Sequence, residues 1–435
     1  MVGAHTDSPC LRIKPVSKRQ ADGFLQVGVE KYGGGLWHTW FDRDLSIAGR
    51  AMVRTEDGKF EMRLVKVERP ILRIPTLAIH FDRQEKFEFN AETQLYPIAG
   101  LVAAELNRQG KTVEKDVIEK LEDANLEEKE FRPLKIASER HHPYIVELIA
   151  EEAGCAADDI LDFEMVLYDT QKSCLGGLNN ELIFSARLDN LMMSFCALEG
   201  LLQSAHSSGL KDDHTIRLIA LFDNEEIGSL TAQGADSSLL PGVIKRLSSI
   251  PASTSSANGK DRSSDASYEA IDHESSSAHE QTLIRSFLVS TDMAHSVHPN
   301  YGHKYEQQHR PEMNGGVVIK INANARYATN SPGIVLLQEC ARRASAPSSP
   351  PGAEHRTAGV PLQLFVMRND MPCGSTIGPM LSAALGARTI DVGNAQLSMH
   401  SIRETTGAYD VGNAVALFKS FFDNFGELES KIIVD

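Results

Sequence analysis

The 435-residue chain has no apolar run approaching the roughly 20 residues that span a bilayer, so no membrane-crossing helix and no membrane partner are expected. It also has no surplus of positive charge. A formal net charge of −15 disfavours nucleic acid and anionic lipid surfaces. The opening residues, Met1 to Asp7, show no basic stretch followed by an apolar one, so no signal peptide is read there. Paired cysteine spacing is missing too. Cys10, Cys155, Cys174, Cys196, Cys340 and Cys373 are scattered, which fits reduced thiols in a cytoplasmic compartment (with vacuolar delivery left open) and argues against a disulfide framework or a zinc finger. What remains is an ordinary soluble composition, 42% apolar and 24% charged, on a chain long enough for about two or three domains.

The chain is organised around Leu221 to Ser229, which reads LFDNEEIGS. Thr215 to Phe222 before it is β-branched and apolar and predicts a buried strand. Adjacent acids at the end of such a strand repel each other and lose hydration, so a cation or a shared proton must compensate. An isolated Glu-Glu pair is ordinarily a solvated loop. The rest of the chain is what makes Glu225 and Glu226 candidates.

His5 and Asp7 lie two apart on an extended segment and therefore face the same way. His5 stands only five residues from the start, where a buried ligand usually has preceding chain; beside the family resembled below the chain looks truncated at its start, with His5 expected to be poorly held and part of the core exposed. From Lys14 to about Phe163 the pattern is β-rich. Ala48–Val53 and Phe60–Val67 alternate apolar with polar residues around a Glu56-Asp57-Gly58-Lys59 turn, a hairpin signature. Arg73 to His80 is an apolar run read as a strand ending in a histidine. Thr112 to Arg132 is a charged run expected as a solvated helix or loop, and His142–Ala153 predicts a short helix closed near Gly154.

From Glu164 strands and helices alternate, which predicts a largely parallel sheet. Asp189 begins a helix running to Ala205. Phe287 to Asp292 is an apolar strand ending in an acid, followed by His295 and His298. Gly316–Ile321, Leu362–Met367 and Arg388–Val392 read as strands, Cys373–Gly378 as a glycine-bearing turn, and Val411 to Phe425 as the last helix, with His400 in the loop before it. Leu247–Gln281 and Ala344–Gly359 are low in large apolar residues and are expected to be disordered insertions, with His273 and His279 inert.

Five candidate ligands emerge: His5, Asp189, Glu226, Asp292 and His400. Each sits near a strand end or a helix start, where crevices form in open α/β sheets. Two histidines and three carboxylates suit zinc or a similar divalent ion. With two ions about 3.5–4 Å apart, one carboxylate bridges and Glu225 is left to take a proton from water.

Several stretches closely resemble the aspartyl aminopeptidases, a family of cocatalytic-zinc exopeptidases. They are GAHTDSPC from Gly3, YGGGLWHTWFDRDL from Tyr32, ARLDNL from Ala186, FDNEEIG from Phe222, DMAHSVHPNY from Asp292, RNDMPCGSTIGP from Arg368 and MHSIRE from Met399. The resemblance implies an α/β/α sandwich catalytic domain, residues 1–16 and 165–435, interrupted by a β-rich dimerisation domain at 17–164. It implies two zinc ions (replaceable by cobalt or manganese), one held by His5, Asp189 and Asp292, the other by Asp189, Glu226 and His400. Glu225 would be the general base, and Asp7 would orient the metal-site histidine. Lys320 and Tyr327 would hold the acidic side chain of the substrate, with His295 and His298 nearby. His80 would reach a neighbouring subunit's site in a homo-oligomer, a dimer-built dodecamer.

The expected activity is therefore removal of N-terminal Asp or Glu from peptides. The alternatives are a dinuclear carboxypeptidase or deacylase, which uses the same ligand types, and an inactive oligomeric scaffold or cargo protein. For Lys320 the competing expectation is a solvated edge-strand lysine.

Overall fold

The computed structural model describes residues 1–433 except 82, 84–85, 110–132, 208–209, 211–212, 250–276 and 349–357. The backbone forms two compact units, Met1–Ser8 with Ser173–Asp435, and Pro9–Lys172. In chain order the strands are β1 (Val2–His5), β2 (Cys10–Ala21), β3 (Phe24–Tyr32), β4 (Leu45–Arg54), β5 (Phe60–Lys66), β6 (Ile98–Leu101), β7 (Ile160–Asp169), β8 (Cys174–Gly176) and β9 (Leu182–Ser185). They continue as β10 (Ile219–Phe222), β11 (Phe287–Thr291), β12 (Ala294–His295), β13 (Val317–Ile321), β14 (Leu362–Val366), β15 (Arg388–Gly393), β16 (Ala395–Leu397) and β17 (Glu404–Gly407).

The first unit is built on the sheet β10-β1-β11-β15-β13-β14. The first four strands are mutually parallel, while β13 runs against β15 and carries β14 with it. Successive strand residues face opposite sides, and both sides are apolar here. Val2, Phe287, Val289 and Ile390 join one core with the helices Leu188–Ala205, Ser331–Arg343 and Ala408–Glu429. Phe222 and Leu288 join another with Leu239–Ser248 and Ile377–Leu385. Helices therefore cover both faces, an α/β/α sandwich, each buried Leu, Ile or Phe contributing about 1.5–3 kcal/mol. A second sheet, β12-β16-β17-β9-β8, carries the segments that lead into Asp189 and out of His400.

The second unit has the sheet β5-β4-β7-β2-β3-β6, antiparallel at every pairing. The β4–β5 hairpin forms about Thr55 to Lys59, and the helix Pro143–Ala153 ends on Gly154 at φ 66°, a conformation glycine adopts without a Cβ penalty. Arg140 donates to Pro15 O, Lys135 O and Asp162. Beside it, the buried His141 meets Ser17 Oγ at 2.8 Å, and His142 reaches Arg19 O and Gln26 O.

Several expectations change. Arg73–His80 forms no strand: Leu72 and Arg73 make single bridges, and Pro75, which has no N–H to offer a ladder, begins an exposed segment that puts His80 on a surface turn. Strand β10 starts at Ile219 rather than Thr215, because Asp213 captures the Thr215 N–H and hydroxyl. The margins of the two expected insertions are ordered. Leu247 and Ser248 end one helix, Ala278–Gln281 begin another, His279 lies 3.3 Å from Ser248 Oγ, and Ser345 bridges Ala358. Residues 250–276 with His273, residues 349–357, and the whole of Thr112–Arg132 lie outside the described residues. His5 is not loosely held: it is 1% exposed, on a strand flanked by β10 and β11.

Candidate metal centre

The parallel strands deliver their carboxyl ends to one edge, and the candidate residues gather there. His5 closes β1, with its carbonyl accepting from Ser194 Oγ at 2.8 Å. Asp292 follows β11 directly. A Cβ at Gly393 would overlap the Asp292 carbonyl oxygen, so glycine is required for β15 to lie this close. Glu225 and Glu226 open the short turn after β10, entered through Asn224 and left through Gly228, both at positive φ. Asp189 stands at the mouth of its helix with non-helical torsions, its peptide bond to Asn190 cis, and Asn190 Nδ2 tied to Thr291 O at 2.8 Å.

His5 Nε2 lies 3.3 Å from Asp189 Oδ1, 3.4 Å from Asp292 Oδ1 and 3.8 Å from Glu225 Oε2. On the other side, His400 Nε2 lies 3.3 Å from Asp189 Oδ2 and 3.4 Å from Glu226 Oε1. Asp189 thus presents one oxygen to each histidine. Asp7 is 3.3 Å from His5 Nδ1, and its two oxygens accept the N–H groups of Glu225 (3.0 Å) and Glu226 (3.1 Å). One carboxylate therefore orients a ligand and fixes the acidic turn. Ligand atoms of His5, Glu225 and Asp292 lie within 4.8 Å of one another, as do those of His5, Asp189 and Glu226. Glu225 is thus near enough to bind an ion as well as to exchange a proton.

Electrostatics calls for a cation. Burial, then the Asp292, Asp189 and Asp7 charges, push Glu225 up to about 7. Burial and Asp189 push Glu226 to about 9. Burial opposes charge on His5, yet Asp189, Asp292 and Asp7 outweigh it and raise its pKa well above the ordinary value. Asp189 is likewise held down by His400 and His5 against its own burial. Asp189 Oδ1, Glu226 Oε1 and Asp292 Oδ1 are buried without a hydrogen-bond partner. Such atoms are costly unless a cation meets them, and the oxygen and imidazole donors match zinc chemistry. The residues fit a metal.

Lys320 is on an interior strand between β15 and β14, not on an edge, and is 3% exposed. That excludes the solvated-lysine expectation. Its Nζ is 3.3 Å from Asp292 Oδ2, 3.0 Å from Met293 O and 5.4 Å from the Tyr327 ring centre. Tyr327 Oη is 3.6 Å from Cys373 Sγ, and Cys373 lines a cavity of about 500 Å³ with Asn322, Asn324, Arg326, Arg368 and Asn369. His295 lies close enough to these charges that burial, then Lys320, lower its pKa. His298 is occupied otherwise: its Nδ1 accepts the Asn300 N–H, and its ring meets Tyr301 edge to face. His80 belongs to the second unit.

Glu404 was assigned no role from the sequence. It is 3% exposed, and its two oxygens accept the N–H groups of Asp189 (3.0 Å) and His400 (2.9 Å). Ser8 Oγ donates to Asp189 O at 2.6 Å. The one available signal for Glu404 was its position four residues after His400 in the MHSIRE stretch.

This chain belongs to the Aminopeptidase I zinc metalloprotease (M18) family, which it matches over residues 1–422. It is a zinc metalloaminopeptidase, a hydrolase. Among curated relatives it is 64% identical to an aspartyl aminopeptidase of Aspergillus oryzae, covering 100% of this chain and 83% of the relative. It is 48% identical to aspartyl aminopeptidase 4 of Saccharomyces cerevisiae, covering 100% and 81%. Among solved structures it superposes on Ape4 in a complex with Nbr1, with TM-score 0.82 at 46% identity, covering 100% of this chain and 73% of that one. It also superposes on the S. cerevisiae mApe1 dodecamer, with TM-score 0.73 at 29% identity, covering 99% and 80%.

Proposed function

We propose that this aminopeptidase releases N-terminal Asp or Glu from peptides at a two-zinc centre. The observation that carries the reading is the convergence of partnerless, buried carboxylate oxygens on two histidines, with a buried lysine beside them. His5, Asp189 and Asp292 would hold one ion and Asp189, Glu226 and His400 the other. When bound, such a pair supplies Lewis acidity to a peptide carbonyl and makes water more acidic. Glu225 takes the proton of the attacking water and returns it to the departing amine. In the metal-free chain burial and the neighbouring carboxylates raise the proton affinity of Glu225. Asp7 keeps Glu225 in place through its N–H.

Lys320 offers the substrate's carboxylate a desolvated cation beside the Tyr327 ring, His295 borders that pocket, and His298 shapes the loop next to it. The amino terminus rests against the pocket's carboxylates, which confines cleavage to chain ends. The name of the Aspergillus relative and the dodecameric relative support acidic specificity and a closed homo-oligomer, with His80 of the β-rich unit serving a neighbouring copy. Six free cysteines suit a cytoplasmic setting, and the likeness to an Nbr1-bound relative suits delivery to a vacuole. The full ligand set speaks against an inactive scaffold, and a cation placed for an acidic first residue against a deacylase or carboxypeptidase.

The test is zinc content together with cleavage of Asp-, Glu-, Ala- and N-acetyl-Asp-peptides. About two ions per chain and acidic substrates cleaved faster than Ala are expected, by less than the full cost of an unpaired buried charge because Asp292 already pairs with Lys320. Lys320→Met should narrow that gap by slowing the acidic substrates. An unchanged Asp/Ala ratio in that variant would move the specificity elsewhere, and no zinc in zinc-replete buffer would sink the reading.

A further inference from the structure

Two carboxylates outside the expected ligand set each bridge a pair of backbone N–H groups. Asp7 does so for Glu225 and Glu226, which are adjacent in sequence. Glu404 does so for Asp189 and His400, whose segments are 211 positions apart (400 − 189) and belong to different elements. Neither segment has a regular conformation there. Asp189 and Asn190 depart from helical torsions, and His400 has φ 120°, a region costly for a residue with a Cβ. Local backbone bonds, Leu191 N–H to Arg187 O and Ser401 N–H to Ser398 O, span each residue but do not tie the two segments to each other. Glu404 itself opens β17, whose pairing with β9 sets Glu404 opposite Ser185 and gives it a rigid base. The side chains of its two clients face each other at 3.3 Å.

We propose that Glu404 is the positioning residue of the Asp189–His400 half of the centre. Gripping both N–H groups with one carboxylate, it sets the spacing of the two side chains and so the affinity of that half for its ion. This rests on the two-ion reading above. Glutamine in its place keeps the volume but turns an NH₂ toward one of two N–H donors, so one grip is lost. Aspartate keeps both acceptors on a shorter stem and cannot reach both partners. Outer residues that orient ligands typically alter metal affinity by about 10–100-fold.

The experiment compares wild type with Glu404→Gln and Glu404→Asp, stripped of metal and titrated with zinc against a chromophoric chelator. Melting of each metal-free protein is recorded in parallel. The expected result is the equivalent on the His400 side weakened by about 10–100-fold and the other, which shares Asp189, weakened less. The metal-free melting temperatures should lie within a few degrees of wild type. Cobalt in place of zinc should show the absorption of the His400 side perturbed more than that of the His5 side. Two equivalents bound as in wild type would overturn the role of Glu404 while leaving the two-ion reading standing. Metal-free variants that fail to fold would overturn it too, making Glu404 a support of the fold. Wild type binding no zinc would remove the reading and this proposal together.

Discussion

The two units each contain a six-stranded sheet, yet the metal-site candidates gather in one of them. Strand direction explains much of the difference. In the parallel part of the first unit, β1, β10 and β11 all end at the same edge, so His5, Asp292 and the Glu225–Glu226 turn arrive together. In the second unit every pairing is antiparallel, and consecutive strands end at opposite edges. Buried ionisable groups differ in kind as well. The first unit buries acids whose charges ask for a cation, whereas the second buries His141 and His142, which burial keeps neutral. An inward charge that lacks a local partner marks a functional edge. A neutral histidine bonded to carbonyls or hydroxyls marks a joint in the framework.

Metal removal gives the sharpest test of that contrast. Chelation should abolish turnover and lower the stability of the first unit by about 4 kcal/mol for each ion removed, relative to zinc at a thousand times its Kd. Hydrogen exchange resolved by unit should show the second unchanged. Equal loss of protection in both units would break the comparison.

Within the first unit, Glu225→Gln should cut kcat by about 10²–10⁴ while zinc content stays near wild type. Glu226→Gln should lose zinc instead. Equal zinc loss in both variants would make Glu225 a ligand, a role its 3.8 Å approach to His5 also allows.

The second unit is predicted to contribute through His80 alone. Inactive Glu225→Gln and His80→Ala subunits, mixed and exchanged, should recover part of the wild-type rate, because some hybrid sites contain both groups. No recovery despite proven exchange would restrict the second unit to assembly.

The smallest effect is one of sign. Burial, then Arg140, lower His141 from its ordinary 6.5 to about 4. The native second unit therefore binds fewer protons than the unfolded chain in that window, and its stability should fall as pH drops from about 6.5 toward 4. In the first unit burial raises Asp410, which caps Asn314 and Gly316, from 3.8 to about 6. The native form then binds more protons, and this contribution is lost as pH rises through about 6. Urea midpoints followed unit by unit should flatten in His141→Asn and Asp410→Asn respectively. Parallel slopes that neither variant alters would remove the distinction.

The sequence reading reached the α/β/α frame and the residues that meet at its edge because strand ends and residue types are both local signals. Burial of Lys320 was not readable, since it depends on β14 lying outside β13, a pairing between distant segments. Glu404 escaped because its clients are backbone N–H groups, which no side-chain pattern announces. The apolar residues of Arg73–His80 suggest a strand, but Pro75 among them has no N–H to give a ladder.

Strand β1 has a consequence for biosynthesis. Its residues leave the ribosome well before its neighbours, Ile219–Phe222 on one side and Val289–Ser290 on the other. Every pairing of the second unit, by contrast, closes within Pro9–Lys172. The inserted unit can therefore complete its sheet while β1 still waits for its partners to be made, and such long-range closures fold slowly. The edge that gathers the candidate residues can therefore close only after His400 and Glu404 have emerged.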